Sequence, residues 1–236
     1  MLSIVLPCYN EAKGLPELLA RFRPFAERYA FELILVDNGS TDETAQVLRA
    51  LLADPAYRFA RCHPLRPNQG YGGGILAGLR VARGEILAWS HADLQCAPGD
   101  LFAAYDKLMT YPPGAQVLIK GRRLHRQLNE QFITWGLQAL ATVVLWTPLH
   151  DINGQPKMFP RTLLQALPHP PADFALDLYC LYRARRAGWT IDTVPVDFSR
   201  RRHGVSHWAA TWRSKWRTIR GFLRYLLVLR LQGGGA

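Results

Sequence analysis

Two short segments concentrate the side chains able to do chemistry. Leu33–Asp42 (LILVDNGSTD) runs an apolar stretch into Asp37, and Glu85–Gln95 (EILAWSHADLQ) runs a second into His91, Asp93 and Gln95. If both stretches are strands of an open α/β sheet, these polar residues fall beyond the strand carboxyl ends, where such sheets bind ligands. Alternation along an extended segment puts residues 91, 93 and 95 on one side. Carboxylate and amide oxygens suit Mg2+ or Mn2+, and imidazole suits Mn2+ better. A divalent ion held there would neutralise a departing diphosphate, while Asp37 would meet a base or ribose. That is the chemistry of a nucleotide-sugar site. The same residues have plainer readings: Asp37 as a turn aspartate bonding its own backbone, and Asp93 beside His91 as a surface turn.

Other segments add to this crevice. Pro7–Glu11 (PCYNE) follows the first apolar stretch; its turn could cradle a base or ribose, with Glu11 accepting from hydroxyls or simply facing a helix dipole. Gln69–Gly74 (QGYGGG) has neither the place nor the spacing of a dinucleotide or P-loop fingerprint. It marks a helix start with close backbone approach, by a ligand or by packed chain.

The elements that must position these residues follow from the apolar pattern. Strands are expected at Leu2–Leu6, Phe31–Val36, Tyr57–Cys62, Glu85–Ser90 and Gln116–Lys120. Helices are expected from an Asn10 N-cap through Tyr29, from a Ser40/Glu43 capping box through Leu52, over Gly72–Ala82 and over Pro98–Met109. The β-α-β-α rhythm predicts an α/β fold, Rossmann-like, with a mainly parallel sheet flanked by helices.

Charge divides the chain. Residues 1–119 are net −1 and residues 120–236 net +12, and no acidic residue follows Asp197. A basic half suits an anionic partner: nucleic acid, a lipid surface or a phosphorylated substrate. Four scattered cysteines fit a reducing compartment, and Leu2–Leu6, short and followed by Pro7, is expected to be a strand and not a secretion signal. Gln131–His150 carries no formal charge and reads as a buried or interfacial helix. In the last helix Trp208, Trp212, Trp216, Ile219, Leu223 and Leu226 share a face, beside Arg213, Arg217, Arg220 and Arg224. That suits a membrane headgroup boundary, or tryptophans packed on the sheet with solvated arginines.

The order PxYNE, VDNGSTD, NQGYGGG and ADLQ resembles the inverting glycosyltransferases of family 2, which have the GT-A fold. Within them it is most similar to the polyprenyl-phosphate sugar transferases, such as dolichyl-phosphate mannosyltransferase. The resemblance implies a catalytic domain over residues 1–207, followed by the amphipathic helix of residues 208–236. It places Pro7, Tyr9 and Glu11 around the nucleotide and Asp37 on the base or ribose. Asp93 and Gln95 match metal-contacting positions for Mg2+ or Mn2+, with His91 standing where the family has an Asp. Lys120–Arg122 (KGR) occupies the place where an Arg meets an acceptor phosphate. In Val194–His207 (VPVDFSRRRHGVSH), Arg201 and Ser206 match a later motif and His207 replaces a Lys. Asp177 falls where many members place a catalytic base.

The implied activity is metal-dependent transfer of a hexose from a UDP- or GDP-linked donor to polyprenyl phosphate, by an enzyme lying peripherally on the cytoplasmic face of the cell membrane. A phosphate acceptor is mostly ionised at neutral pH and needs no base; a sugar hydroxyl would need one, and Asp177 would supply it. A non-catalytic nucleotide-sugar binder also remains open. A nucleic-acid partner is not expected, because the basic half has no recognised motif and the acidic strand ends would repel phosphate.

Overall fold

The computed structural model describes residues 1–124, 128–197 and 212–233. Within them the strands are β1 (Leu2–Cys8), β2 (Phe31–Asn38), β3 (Ala60–Leu65), β4 (Ile86–Trp89), β5 (Val117–Leu124), β6 (Lys157–Pro160) and β7 (Thr190–Asp197). The helices are α1 (Leu15–Phe22), α2 (Thr44–Leu52), α3 (Gly70–Val81), α4 (Pro98–Met109), α5 (Leu128–Leu145), α6 (Leu176–Arg186) and α7 (Trp212–Gly233). One seven-stranded sheet has the order β3-β2-β1-β4-β6-β5-β7. β6 runs antiparallel to β4 and β5, and the other pairings are parallel.

The unbroken apolar strands are explained by burial of both faces, as a helix-covered parallel sheet requires. Val5, Ile34, Val36, Leu87 and Trp89 point to the side covered by α3, α5, α6 and α7. Their neighbours Ile4, Leu6, Leu33, Leu35 and Ala88 point to the side of α1, α2 and α4. The period of two along a strand thus feeds two cores from one sheet.

Several expected boundaries are corrected. The helix expected from Asn10 to Tyr29 is shorter: α1 starts after Gly14, and Pro24 sits in the 3-10 turn Arg23–Glu27 that follows it. Proline cannot donate to an α-helical ladder, so the chain tightens there. Asn10 is no N-cap; it has φ +58° and its side chain serves a neighbouring loop. The Ser40/Glu43 capping box does not form, because Ser40 Oγ accepts from the Asn10 amide and α2 begins only at Thr44. The third strand lies three residues later than expected. Asp54 caps a 3-10 turn over Pro55–Tyr57 that consumes the first aromatic.

α5 fits the expected buried or interfacial helix, while α7 departs from expectation at one tryptophan. α5 buries Ala141 and Leu145 and turns Leu140 and Val143 outward, followed by an exposed Trp146. α7 packs against α5 and inserts Leu226 and Leu229 into the core, with Ile219, Phe222, Leu223 and Tyr225 at partial burial. Trp216, expected on the same face as Leu226, is exposed instead. Trp208 lies outside the described residues. No helix among the described residues is long and apolar enough to cross a membrane.

α3 lies against β1 and β2 at unusually close range because Gly78 faces them. A Cβ there would come within 2.3 Å of Val5 Cγ1 and 2.9 Å of Val36 Cγ2. Gly78→Ala should therefore destabilise the protein by about 1–3 kcal/mol through overpacking, although alanine is the better helix former by about 1 kcal/mol. Urea unfolding checks this; a stabilised variant would mean that α3 can lift freely from the sheet.

Candidate active site at the carboxyl edge of the sheet

β1 leads to β2 and β3 on one side and neighbours β4 on the other, so the sheet reverses its order between β1 and β4. Crevices outside the carboxyl ends at such a point are where open α/β sheets bind ligands. The register sets Cys8 beside Asp37 and Val5 beside Trp89. The loops after β1, β2 and β4 therefore meet, bringing Pro7, Tyr9, Glu11, Asp37 and the 91–95 segment to one edge.

The first two loops are stitched together. Asn10 Oδ1 accepts from the amides of Thr41 (2.8 Å) and Asp42 (3.3 Å), and the Glu11 amide donates to Thr44 Oγ1 at 3.0 Å. Asn38 ties β2 to the start of α3, accepting from the Gln69 amide at 2.9 Å and donating to the Gly70 carbonyl at 2.8 Å. Asp37 is 1% exposed. One oxygen accepts from the Ser40 amide at 3.1 Å, which is the turn role; the other accepts from Arg66 Nη2 at 3.1 Å. Arg66 is more than half exposed. Together they offer an acceptor and a cationic donor side by side, a pattern suited to the N–H and carbonyl of a nucleobase edge.

The close approach implied by the Gly-rich segment is met by the chain itself. The Gly73 amide donates to the Ala172 carbonyl at 2.9 Å, and a Cβ on Gly72 would fall within 2.5 Å of the Pro171 carbonyl oxygen. The loop before α6 thus rests on the first turn of α3.

The 91–95 segment is not extended, so the expected same-side alternation does not apply. β4 ends at Trp89, Leu94 takes φ +61°, and the Gln95 amide closes onto Asp93 Oδ1 at 3.1 Å. The His91 ring lies 5.7 Å from that of Tyr71, which in turn stacks on Phe174 at 4.9 Å. Among the described residues no three His, Cys, Asp or Glu side chains converge as a metal cage. One carboxylate with an imidazole and an amide in the same short segment is a donor set that fits a divalent ion whose remaining ligands come from substrate phosphates and water.

Asp177, in the first turn of α6, is heavily engaged. Its Oδ1 receives Lys157 Nζ at 2.5 Å, Gln155 Nε2 at 3.0 Å and Trp89 Nε1 at 3.3 Å; its Oδ2 receives the Tyr71 hydroxyl at 3.2 Å. Burial, and then the Asp177 charge, push the Tyr71 phenol well above its ordinary range, so it keeps its proton and donates. Lys157 and Asp177 are both buried. Tyr71, Gln155 and Lys157 were not singled out in the sequence. A lysine opening a four-residue apolar strand was the signal available, since such a charge must find a buried partner.

Further along, Arg122 is exposed near the end of β5, while Arg123 pairs with Asp151. Arg201, Ser206 and His207 lie outside the described residues. Lys120 is buried and donates to the carbonyls of Asp151 (2.9 Å) and Gly121 (3.1 Å). Burial in the first place, reinforced by the Lys157 and Arg123 charges and opposed by Asp151, brings its pKa from 10.5 down to about 7. A neutral amine still has two protons for two carbonyls. All four thiols are unpaired and raised above their ordinary pKa, chiefly by burial, which makes them poor nucleophiles.

Two stability tests follow. Removing one partner of a buried ion pair costs about 3–5 kcal/mol, so Lys157→Met should lose about that much in urea unfolding. The double variant Lys157→Met/Asp177→Leu should recover a large part; equal losses in both would deny the pairing. For Lys120, the folded state binds fewer protons than the unfolded state between about pH 7 and 10.5. Its contribution to stability therefore rises with pH across that window. Relative to a Lys120→Met variant, wild-type stability should climb on the order of 1 kcal/mol per pH unit from pH 7.5 to 9; parallel curves would place the lysine's pKa outside the window.

Known proteins resemble this chain in sequence and in fold. Residues 3–168 match the model of the family described as glycosyl transferase family 2. An uncharacterized glycosyltransferase of Mycobacterium tuberculosis is 30% identical over 211 residues, covering 86% of this chain and 88% of that protein. An undecaprenyl-phosphate 4-deoxy-4-formamido-L-arabinose transferase of Shewanella sediminis is 38% identical over 101 residues; the match covers 42% of this chain and only 30% of that transferase. Among solved structures, glucosyl-3-phosphoglycerate synthase from Mycobacterium tuberculosis in complex with UDP superposes with a TM-score of 0.73 at 22% identity, over 98% of this chain and 80% of the other. A mannosyltransferase from Pyrobaculum calidifontis in complex with GDP-Man and Mn2+ gives a TM-score of 0.64 at 20% identity, over 99% and 63%. The chain belongs to glycosyl transferase family 2 and has a GT-A-type α/β fold.

Proposed function

We propose that the chain transfers a sugar, with inversion, from a UDP- or GDP-linked donor to a polyprenyl phosphate at the inner face of a cell membrane. The observation that carries the acceptor assignment is the crowding of Asp177. A general base must present a lone pair to the hydroxyl it deprotonates, and this carboxylate is buried under four donors. An acceptor that arrives already ionised needs no such base. The partial relatives acting on undecaprenyl phosphate support the same class of acceptor.

In this reading Pro7, Tyr9 and Glu11 line the nucleoside pocket, and the Asp37–Arg66 pair meets the base. Asp93 and Gln95, with His91, would hold Mg2+ or Mn2+. The ion would supply charge neutralisation for the diphosphate; structural neighbours carry Mn2+ with UDP-glucose or GDP-mannose. Arg122, joined by Arg201, clamps the acceptor phosphate in line with the anomeric carbon. A phosphate oxygen forms the new bond to that carbon as the bond to the diphosphate oxygen breaks, and the nucleoside diphosphate leaves with the electron pair. Asp177 acts as a positioning residue that fixes Tyr71 and Lys157.

The deciding assay offers labelled UDP- and GDP-sugars with polyprenyl phosphate, polyprenol or phosphoglyceric acid, the last a ligand of the synthase neighbour. Label should enter the organic phase only with polyprenyl phosphate. Transfer to either hydroxyl acceptor in preference would overturn the reading. Arg122→Ala should lower kcat/KM for the acceptor by about tenfold to a hundredfold, the loss expected of a charge-assisted phosphate contact, with donor affinity nearly intact. Asp93→Ala and chelation should each abolish turnover; full activity of Asp93→Ala in excess chelator would remove the ion from the scheme.

A further inference from the structure

α5 and α7 pack side by side and together leave an apolar surface uncovered. On α5 the outward positions Gly136, Ala139, Leu140 and Val143 follow helical spacing and lead to Trp146, without a charged residue among them. Val143 is 70% exposed and Trp146 81%. On α7, Trp216, Arg220, Arg224, Leu227 and Leu231 fall on one outward arc at 3.6 residues per turn, flanked by Val228. All six are exposed, Leu231 to 81%. Arg230 joins the two helices: its guanidinium lies 5.9 Å from the Trp146 ring centroid. Exposed aliphatic and tryptophan side chains on this scale mark an interaction surface.

We propose that this α5–α7 face is the surface by which the protein lies on an anionic lipid bilayer, with the apolar side chains entering the headgroup boundary and Arg220, Arg224 and Arg230 meeting lipid phosphates. Charge selects this occupant over a second copy of the chain. α7 carries no acidic residue, and none follows Asp197 in the sequence. A self-contact through the face would oppose two sets of arginines, and like charges across an interface are costly. Mixed apolar and basic positions are what an interfacial helix presents, and arginine stems can lie along the apolar boundary while their heads stay hydrated. The inference deepens the proposed reading, which it needs only for the lipid nature of the acceptor.

The test is flotation of the full chain with vesicles of phosphatidylcholine, with or without phosphatidylglycerol and free of any polyprenyl phosphate. Wild type should float with the anionic vesicles and less with the neutral ones. Leu140→Ser/Val143→Ser/Trp146→Ser should cut partitioning by about tenfold or more. Arg220→Glu/Arg224→Glu should cut it by at least about fivefold per arginine on anionic vesicles, the equivalent of about 1 kcal/mol each, and little on neutral ones. Unchanged thermal midpoints would certify that both variants fold, as their exposed positions lead one to expect. A wild-type protein that floats with neither vesicle overturns the proposal, as does a serine variant that floats undiminished. A concentration-dependent dimer abolished by the serine substitutions, without flotation, would give the face to a second copy. Flotation without transfer to polyprenyl phosphate would sink the acceptor assignment and leave the surface standing.

Discussion

The ion pair between Lys157 and Asp177 holds the active edge together. One carboxylate oxygen gathers donors from the end of β4, the segment entering β6 and β6 itself, and the other takes the hydroxyl of α3. Because both charges are buried, neither can leave without stranding the other, which makes the arrangement costly to break although its net contribution to stability is small. The antiparallel β6 makes this possible. Running against β4, it starts where its neighbour ends, so Gln155 and Lys157 arrive at the carboxyl edge where a parallel strand would have delivered only its tail.

Around this anchor, the loops are held by side-chain amides and not by regular structure. Asn10 joins the loops after β1 and β2, and Asn38 ties the end of β2 to the start of α3. The proposed donor pocket is thereby preorganised, and Asp37 has a partner in Arg66. Such a site can exchange one set of hydrogen bonds for another upon binding instead of paying for an unsatisfied buried carboxylate.

The first five strands and their mainly parallel β-α rhythm were legible in the sequence because burial on both faces imposes a simple apolar pattern, whereas β6, α6 and β7 were not expected. Pro98–Met109 was placed to the residue, since its proline start and loss of apolar period mark both ends. Boundaries failed where one side chain outcompeted local propensity: Asn10 and Ser40 were recruited across 30 residues of chain, and Pro24 converted a helix into a 3-10 turn. The roles of Tyr71 and Gln155 carried no signal, and that of Lys157 only the hint of a charge in an apolar run, for a different reason. Their partner Asp177 is remote in sequence, and no periodicity encodes a pairing of that kind. The helical wheel of α7 put Ile219, Leu223 and Leu226 on the face that packs but also Trp216, which is exposed, because a wheel gives angles between residues and not how deeply each is covered.

The glycine run at the start of α3 has a bearing on how this protein could be re-engineered. Gly70 and Gly72 make room for the backbone of Pro171–Asp173, to which the Gly73 amide also donates, so the segment entering α6 is cast against α3 as a matched pair. A designer wishing to graft the corresponding loop of another protein onto this scaffold would have to transplant both halves of the joint. A loop of different path would leave the glycines over a void, and a bulkier helix start would lever Asp177 off its donors.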